Sequence, residues 1–462
     1  ANEPAQRGIA VVVLEAGPRF TADDFENDEY AMTAKFGWHD KRVFEGTTEA
    51  VAGWPDEPAS MCKGLGGTTL HWAAMCPRFL DFELRTRSAY GPIEGADIID
   101  WPLSPAELAP YYDRAEDKMG VSGTHGIPRH RGNNNYRVIA AGARRLGYTR
   151  VDANNMAINV EPRDGRNACD QIGFCMQGCT SGAKWSTFNV EIPKAEATGR
   201  CEVRPQCMAL KIEHDDSGRV SGVVYADPSG AQQMQKARAV CVAGNAIETP
   251  RLLLNSASPA FPDGLANAEG AVGRYYMRHM EGFVYAEFER PVRMYRGIQC
   301  GGVVRDDCRD DPSRGFVGGI YYFLNGTHLP YCASDLNPHG WGRALSEWIE
   351  AYERIAAVCI YGEDLAVATN RVSLHATEKD HYGLPIPVAH VDDHPNELAM
   401  RNYGQKTACA FYEAAGARRT HEAYRMPTSH NMGSCRMSED PRAGVVDKWG
   451  RSHQVPNLFV SD

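Results

Sequence analysis

A short run of apolar, mostly β-branched residues near the start of the chain most constrains its fold. Residues 9–14 are apolar throughout, and Glu15, Ala16 and Gly17 follow directly. A short strand without polar residues is expected in a parallel sheet that is covered on both faces. An acid at the carboxyl end of such a strand can accept hydrogen bonds from the ribose hydroxyls of a dinucleotide. The pattern therefore predicts a buried parallel strand of an α/β fold. Taken alone, Glu15 fits a solvated strand end better than a ribose ligand.

A glycine-rich stretch is the second indication of a cofactor. Gly64, Gly66 and Gly67 stand within four positions, and Thr68 and Thr69 follow. Glycines let the backbone approach a cofactor closely, and threonine hydroxyls can donate hydrogen bonds to it. A glycine-rich stretch taken alone is usually a turn, and a cofactor-binding loop is the alternative.

A second strand-and-turn pattern lies in the middle of the chain. Residues 239–243 are an apolar run that ends at Gly244. Thr249 can cap a helix whose first residue is Pro250, because threonine is a good N-cap and proline is tolerated at the first helical position. We predict a strand, a turn at Gly244 and a helix from Pro250, which an ordinary strand–turn–helix unit would also show.

A histidine near the C-terminal end is the candidate for catalysis. His430 stands three residues before Gly433, and a short apolar strand follows at residues 457–460. The pattern predicts an imidazole that is held beside a glycine turn, between a loop and a buried strand. Such an imidazole can act as a general base. Taken alone, the pattern also fits a core histidine beside a turn.

In this order, the four segments resemble the signature motifs of the glucose–methanol–choline (GMC) flavin oxidoreductases. The resemblance spans nearly the whole chain. It implies FAD as the cofactor, Glu15 as the ligand of its ribose and His430 as the catalytic base. It also implies a discontinuous, Rossmann-like FAD-binding domain beside a substrate domain with an antiparallel sheet. The positions that it implies near FAD are Glu15, Gly64, Gly66, Gly67, Thr68, Thr69, Gly244, Thr249 and Asp462.

His71 is the position at which the resemblance implies a covalent link. It stands four residues after Gly67. In choline- and pyranose-oxidising members of the family, a histidine with that spacing carries the flavin covalently. The alternative is a histidine that packs or hydrogen-bonds near the flavin without a covalent bond.

Three cysteines form one sequence cluster: Cys169, Cys175 and Cys179, with glycines between them. A loop of this kind can curl so that three thiolates converge, which suits a soft metal or an iron–sulfur cluster. Zinc usually takes a fourth ligand in a closed site. A disulfide with one thiol, or three plain thiols, is the alternative.

The cysteine spacing resembles the 3Fe–4S motif of membrane-linked bacterial FAD glucose dehydrogenases and of the related sorbitol, fructose and gluconate dehydrogenase large subunits. This resemblance implies an electron exit from reduced flavin to an external acceptor, and hence a dehydrogenase rather than an oxidase. It also implies a small partner subunit, a cytochrome c acceptor and a periplasmic location.

The resemblance also implies that both ends of the protein lie outside this chain. The family's G-x-G-x-x-G turn would precede Ala1, and its second catalytic histidine or asparagine would follow Asp462. The net charge of −10 without a basic run argues against nucleic acid as a partner. The apolar runs are of strand length, so no direct membrane span is expected.

The domain organisation follows from the order of the motifs. We expect the FAD-binding domain at 1–80, 185–280 and 428–462, a lid and cysteine-cluster insertion at 81–184, and the substrate-binding domain at 281–427.

Helices are predicted over 105–120, after a capping box at Ser104, and over 396–415. Residues 123–135 read as a loop with solvated histidines at His125 and His130, and residues 281–392 as antiparallel strands of a half-exposed sheet.

The sequence thus predicts an enzyme that oxidises an alcohol group of a sugar, polyol or sugar acid to a carbonyl. His430 would take the hydroxyl proton while hydride moves to the flavin. One alternative is an oxidase that reduces oxygen and has structural cysteines. Another is a non-catalytic electron-transfer or scaffold subunit.

Overall fold

The fold is seen in a computed structural model that describes residues 1–47, 61–324, 326–333, 340–423 and 429–461. Asp462, one of the predicted FAD-binding residues, lies outside the described residues. The helices of the described part are α1 (Asn2–Gln6), α2 (Glu29–Phe36), α3 (Thr86–Tyr90), α4 (Pro105–Met119), α5 (Asn134–Arg145), α6 (Ile192–Glu196), α7 (Asn245–Asn255), α8 (Leu329–Ala333), α9 (Arg343–Ala351) and α10 (Pro395–Ala415).

Short strands alternate with these helices. The strands are β1 (Val11–Leu14), β2 (Val43–Glu45), β3 (Val151–Ala153), β4 (Cys201–Arg204), β5 (Met208–His214), β6 (Val220–Ala226), β7 (Gln232–Lys236), β8 (Val240–Val242), β9 (Met277–Arg278), β10 (Met280–Glu287), β11 (Gly302–Val304), β12 (Ile320–Phe323), β13 (Ile355–Gly362), β14 (Arg371–Lys379), β15 (Pro385–His390), β16 (Arg419–Ala423), β17 (Asn431–Met432) and β18 (Leu458–Val460).

The predicted apolar runs form parallel pairs of strands. β1 pairs in parallel with β4, and β8 pairs in parallel with β18. The second pair lies in an apolar cluster with α7, in which Val242, Leu253 and Leu458 are buried. Parallel pairing with a helix packed beside it is the arrangement that all-apolar strands favour. The expected α/β fold is confirmed.

The largest sheet has six antiparallel strands in the order β16-β10-β13-β12-β11-β3. On one face, α5 and α10 pack against it in a cluster that includes Val284, Tyr322 and Phe411. On the other face, α9 covers β10 with the buried indole of Trp348. The expectation of a half-exposed sheet is therefore wrong for its central strands β10 and β13, because helices cover both of their faces.

Two of the predicted helices are confirmed. α4 begins at Pro105, and the Ser104 hydroxyl accepts a hydrogen bond from the Glu107 N–H. α10 runs from Pro395 to Ala415. α7, in contrast, begins at Asn245 rather than at Pro250. The Thr249 hydroxyl accepts from the Gly244 N–H at 2.9 Å, so it satisfies a donor at the helix start from inside the helix.

The loop before α5 differs from its prediction at one histidine. His125 is exposed, as expected. His130 is buried, and its Nε2 lies 2.8 Å from the Ile158 carbonyl oxygen. The prediction that His130 is solvated is therefore wrong, because a backbone carbonyl supplies the partner that the ring needs away from water.

Strand pairing joins segments across two of the predicted domain boundaries, which themselves stay a prediction. β3, from the predicted 81–184 insertion, pairs with β11 of the large sheet. β2, from the first segment, pairs in parallel with β15. In the described part of the chain, no helix is both long enough and apolar enough to cross a membrane.

The contact between α5 and α10 gives a prediction for stability. A Cβ on Gly142 would lie 1.8 Å from the Phe411 carbonyl oxygen, so alanine there forces the two helices apart. Alanine gains up to about 1 kcal/mol of helix propensity, but overpacking costs roughly 1–3 kcal/mol. Gly142→Ala should therefore lower the thermal unfolding midpoint by a few degrees. Ala141→Ser, on the exposed side of the same helix, is the control, and an unchanged midpoint for Gly142→Ala would contradict the close contact.

Candidate active site

Two segments, which we call the cofactor loops, pack directly against each other. They are the turn after β1 and the glycine-rich loop. The Leu65 N–H donates to the Pro18 carbonyl at 2.9 Å. A Cβ on Gly17 would lie 2.2 Å from the carbonyl carbon of Lys63, so only glycine allows this approach. The structure thus brings together Glu15 and residues 64–67, which the sequence assigned to one cofactor site.

Glu15 ends β1 with its carboxylate turned back onto this junction. Its Oε1 accepts a hydrogen bond from the Gly17 N–H at 2.7 Å. Burial raises the pKa of Glu15, while the Gly17 N–H and the charge of Lys63 act in the opposite direction. A carboxylate that is held at a strand end in this way can accept hydrogen bonds from vicinal hydroxyls.

The glycine-rich loop is shaped by left-handed backbone at Gly66 (φ 119°) and Gly67 (φ 56°). A Cβ on Gly67 would meet no atom within 4 Å, so a ligand has room to approach this backbone. The Thr69 hydroxyl donates to the Gly66 carbonyl and accepts from the Thr187 N–H, so it fixes the loop. Thr68 is exposed, and its hydroxyl is the one placed to reach a ligand.

His71 follows this loop and has an unsatisfied nitrogen. Its Nε2 is buried and has no hydrogen-bond partner among the described residues. Burial lowers the pKa of His71 to about 4, so the ring is neutral near pH 7. A buried nitrogen without a partner is costly. A flavin that forms a hydrogen bond or a covalent bond with His71 would remove this cost. The surroundings of His71 therefore fit the FAD that the sequence predicts.

The segment of His430 is anchored beside the same site. β17 pairs with β9, and Gly433 (φ 82°) approaches the chain so closely that a Cβ there would lie 1.9 Å from the Tyr275 carbonyl oxygen. The Tyr276 hydroxyl donates to Asn431 Oδ1. The ring of Tyr276 packs in an apolar cluster with two residues near the cofactor loops. Ala16 belongs to the turn after β1, and Met61 lies just before the glycine-rich loop. α7, which follows the turn at Gly244, also contacts β17.

The imidazole of His430 is held by two neighbouring rings. Its Nδ1 lies 2.8 Å from Nδ1 of His279. The ring of Tyr361 stacks on it, with ring centroids 4.8 Å apart and an interplanar angle of 23°. Burial lowers the pKa of His430, which favours the neutral ring that a general base requires.

Glu281 adds a further titratable group beside these rings. It lies opposite Tyr361 in the register of β10 and β13, and the two side chains are hydrogen-bonded. Burial raises the pKa of Glu281 to about 7, while Tyr361, Arg278 and Arg401 act to lower it.

The sequence analysis missed His279, Glu281 and Tyr361. The spacing of His279 and Glu281 by two residues at the start of a strand is a signal that these side chains share one side. Their position opposite Tyr361 depends on strand register, which the sequence pattern does not show.

The three predicted cysteines lie in one apolar cluster with Trp72 and Trp185. They form no disulfide in the described structure, which excludes the disulfide alternative there. They are not among the groups of described residues whose ligand atoms all lie within 4.8 Å of one another. Burial raises the pKa of Cys169 to about 11 and that of Cys175 to about 12, so both are thiols unless a metal displaces the protons.

A buried ammonium joins the cysteine loop to the loop of His71. Lys184 Nζ donates to the carbonyls of Leu70 at 2.8 Å, Trp72 at 3.0 Å and Cys175 at 2.6 Å. Burial lowers the pKa of Lys184 to about 8, and the nearby cysteines counteract this shift. Because Leu70 and Trp72 flank His71, the cysteine cluster and the predicted flavin site are direct neighbours.

A cavity of about 490 Å³ with both polar and apolar lining residues lies against the same face of the large sheet as Tyr361. Tyr321 and Phe323 of β12 line it, and the Phe323 ring lies 5.7 Å from that of Tyr361. Arg78, Asp113, Glu116 and His125 stand at its wall. The carboxylates of Asp113 and Glu116 already pair with Arg78, so charge balance there does not require a metal.

The chain is similar to known proteins along most of its length. Residues 56–281 and 366–462 match the family models for GMC oxidoreductase. The chain is 32% identical to 2-methyl-1,2-propanediol dehydrogenase of Mycolicibacterium austroafricanum, over 99% of this chain and 86% of the relative. It is 28% identical to the fructose dehydrogenase large subunit of Gluconobacter japonicus, over 100% of this chain and 90% of the relative.

The fold is shared with a solved structure as well. Pyridoxine 4-oxidase from Mesorbium loti superposes with a TM-score of 0.68 at 18% identity, over 98% of this chain and 89% of that chain. At this level of identity the similarity shows the fold alone.

The environment of His430 gives a prediction for its titration. The imidazolium is penalised by burial, so His430 should titrate below the pKa of about 6.5 that a free histidine side chain has. Nitrogen-15 NMR of histidine-labelled protein measures this, with the signal assigned by its loss in His430→Gln. As the pH falls, the neutral form should persist past 6.5, and a pKa at or above 6.5 would contradict the buried environment.

Proposed function

The chain belongs to the GMC oxidoreductase family, and we propose that it oxidises a hydroxyl-bearing carbon of a sugar, polyol or sugar acid to a carbonyl. As a member of this family, it is an oxidoreductase that acts on CH–OH donors. The observation that carries the proposal is the position of the His430 imidazole, held between His279 and Tyr361 beside the cofactor loops.

His430 is proposed as the general base that takes the proton of the substrate hydroxyl. Its neutral form has a nitrogen lone pair for this proton, and its fixed position removes the need to reorient during the reaction. FAD, when bound, supplies the acceptor for the hydride from the same carbon. Loss of the hydroxyl proton and of the hydride together leaves the carbonyl.

FAD is proposed to lie along the junction of the two cofactor loops. Glu15 would bind the ribose, and the backbone of Gly66 and Gly67 would approach the cofactor where the structure leaves room. Gly64, Thr68, Gly244, Thr249 and Asp462 are proposed as further contacts from the family resemblance. The unsatisfied Nε2 of His71 supports a direct contact with the flavin, and we propose His71 as a covalent attachment point.

The mixed lining of the cavity is compatible with a substrate that carries both hydroxyls and a carbon skeleton. Its wall contains arginine, asparagine and carboxylate side chains together with the rings of Tyr321 and Phe323. Such a mixture can exchange hydrogen bonds with several hydroxyls and pack against a carbon skeleton. Two of the relatives are named for a diol and for fructose, which agrees with this substrate class.

We propose that Cys169, Cys175 and Cys179 hold an iron–sulfur cluster of the 3Fe–4S type. Such a cluster, when bound, would supply an exit for electrons toward an external acceptor. The features that support it are the packing of the three cysteines in one cluster and the contact with the His71 loop through Lys184. The enzyme would then be a dehydrogenase.

The proposed partners follow from the same reasoning. A small subunit and a cytochrome c acceptor are proposed, and the fructose relative is itself named as a large subunit. A periplasmic location is proposed from the family resemblance alone. The competing proposal is an oxidase that passes electrons to oxygen.

Replacement of His430 tests the proposed reaction. In the full-length enzyme, His430→Ala should lower kcat by about 10²–10⁴-fold, because general-base assistance is lost. Flavin absorbance should stay as in the unchanged protein. His381→Ala, at an exposed histidine of the turn after β14, is the control and should keep full activity. Equal turnover in both variants would remove His430 from the mechanism.

Metal analysis tests the cysteine cluster. Anaerobically purified full-length protein should contain about three iron atoms per flavin, as a 3Fe–4S cluster requires, and Cys175→Ser should lose most of them. Cys76→Ser replaces a cysteine of the same apolar cluster and should retain the iron. Flavin-loaded protein that is free of iron and reduces oxygen during turnover would instead establish the oxidase.

A further inference from the structure

His279 is the residue closest to the proposed base for which no role has been assigned. It stands between β9 and β10, where it is half-buried. Its ring is nearly perpendicular to that of His430, with an interplanar angle of 86° and centroids 5.0 Å apart. We propose that His279 is a positioning residue that fixes the tautomer of His430 by accepting its Nδ1 proton.

The distance between the two Nδ1 atoms shows that only one of these two nitrogens carries a proton. At 2.8 Å the contact is a hydrogen bond, so one nitrogen carries a proton and the other presents a lone pair. If His430 is the donor, its Nε2 is the basic nitrogen of that ring. If His279 were the donor, Nε2 of a neutral His430 would carry the proton and could not accept another. The proposal rests on the proposed function in this choice of direction.

The hydrogen bond from His430 to His279 also keeps this direction during the reaction. When His430 takes a proton at Nε2, its Nδ1–H still points at the His279 lone pair, so no hydrogen bond has to be rearranged. The bond then has a charged donor, and such bonds are stronger than neutral ones. His279 therefore stabilises the protonated form of His430 more than the neutral form, which helps proton uptake in the transition state.

The surroundings keep His279 in the accepting state. Burial, and then the neighbouring His430, lower the pKa of His279 to about 3, so it stays neutral beside a cationic His430. The other titratable groups at the pair are Tyr361, which stacks on His430, and Glu281, which is bonded to Tyr361. Tyr361 fixes the plane of the His430 ring, while His279 fixes which of its two nitrogens carries the proton.

Two substitutions of His279 separate positioning from packing. His279→Asn offers an amide oxygen near the place of Nδ1, and His279→Leu fills similar space without an acceptor. The Leu variant should lose about 10- to 100-fold in kcat with little change in KM, as expected for a lost hydrogen bond to a group that becomes charged. The Asn variant should stay within a few fold of the unchanged enzyme. Equal losses in both variants would overturn the proposal.

Nitrogen-15 NMR gives a readout that does not depend on turnover. In the unchanged enzyme and in His279→Asn, the neutral His430 ring should show a protonated Nδ1 and an unprotonated Nε2. In His279→Leu this tautomer preference should weaken. A wild-type spectrum with Nε2 protonated would overturn the tautomer assignment even if His430→Ala is inactive. Conversely, full activity of His430→Ala would defeat the proposed function while leaving the tautomer assignment standing.

Discussion

The register of β10 against β13 is the constraint on which the candidate site depends. Helices cover both faces of these strands, so a slip by one residue would move every apolar side chain to the opposite face. The register places Glu281 opposite Tyr361, and Tyr361 in turn stacks on His430. The sheet therefore supplies the ring of Tyr361, which stacks on the proposed base.

The second organising contact is the buried ammonium of Lys184. A buried charge is costly unless polar groups surround it, and three carbonyls from two loops do so here. Because those carbonyls belong to the His71 loop and to the cysteine loop, one side chain sets the spacing of two predicted redox sites. Lys184 therefore holds the cysteine loop directly against the loop that carries His71.

Individual motifs were predictable because each depends on local chemistry. Gly17 and Gly433 stand where another backbone passes too closely for a side chain, and Ser104 and Pro105 form a cap within one turn. Predictions that needed the neighbours of a residue were less successful. The start of α7 was misplaced because a hydroxyl inside the helix satisfies Gly244, and the partner of His130 comes from a distant loop.

The sequence by itself determined the family, the α/β fold, the two cofactor loops and His430 as the candidate base, because these are carried by short patterns in a fixed order. The tertiary structure alone decided what surrounds that base. His279, Glu281 and Tyr361 meet His430 only through strand pairing and the covering helices. Strand register and the helices that bury a sheet are set by contacts between residues far apart in the chain, and no local pattern records them.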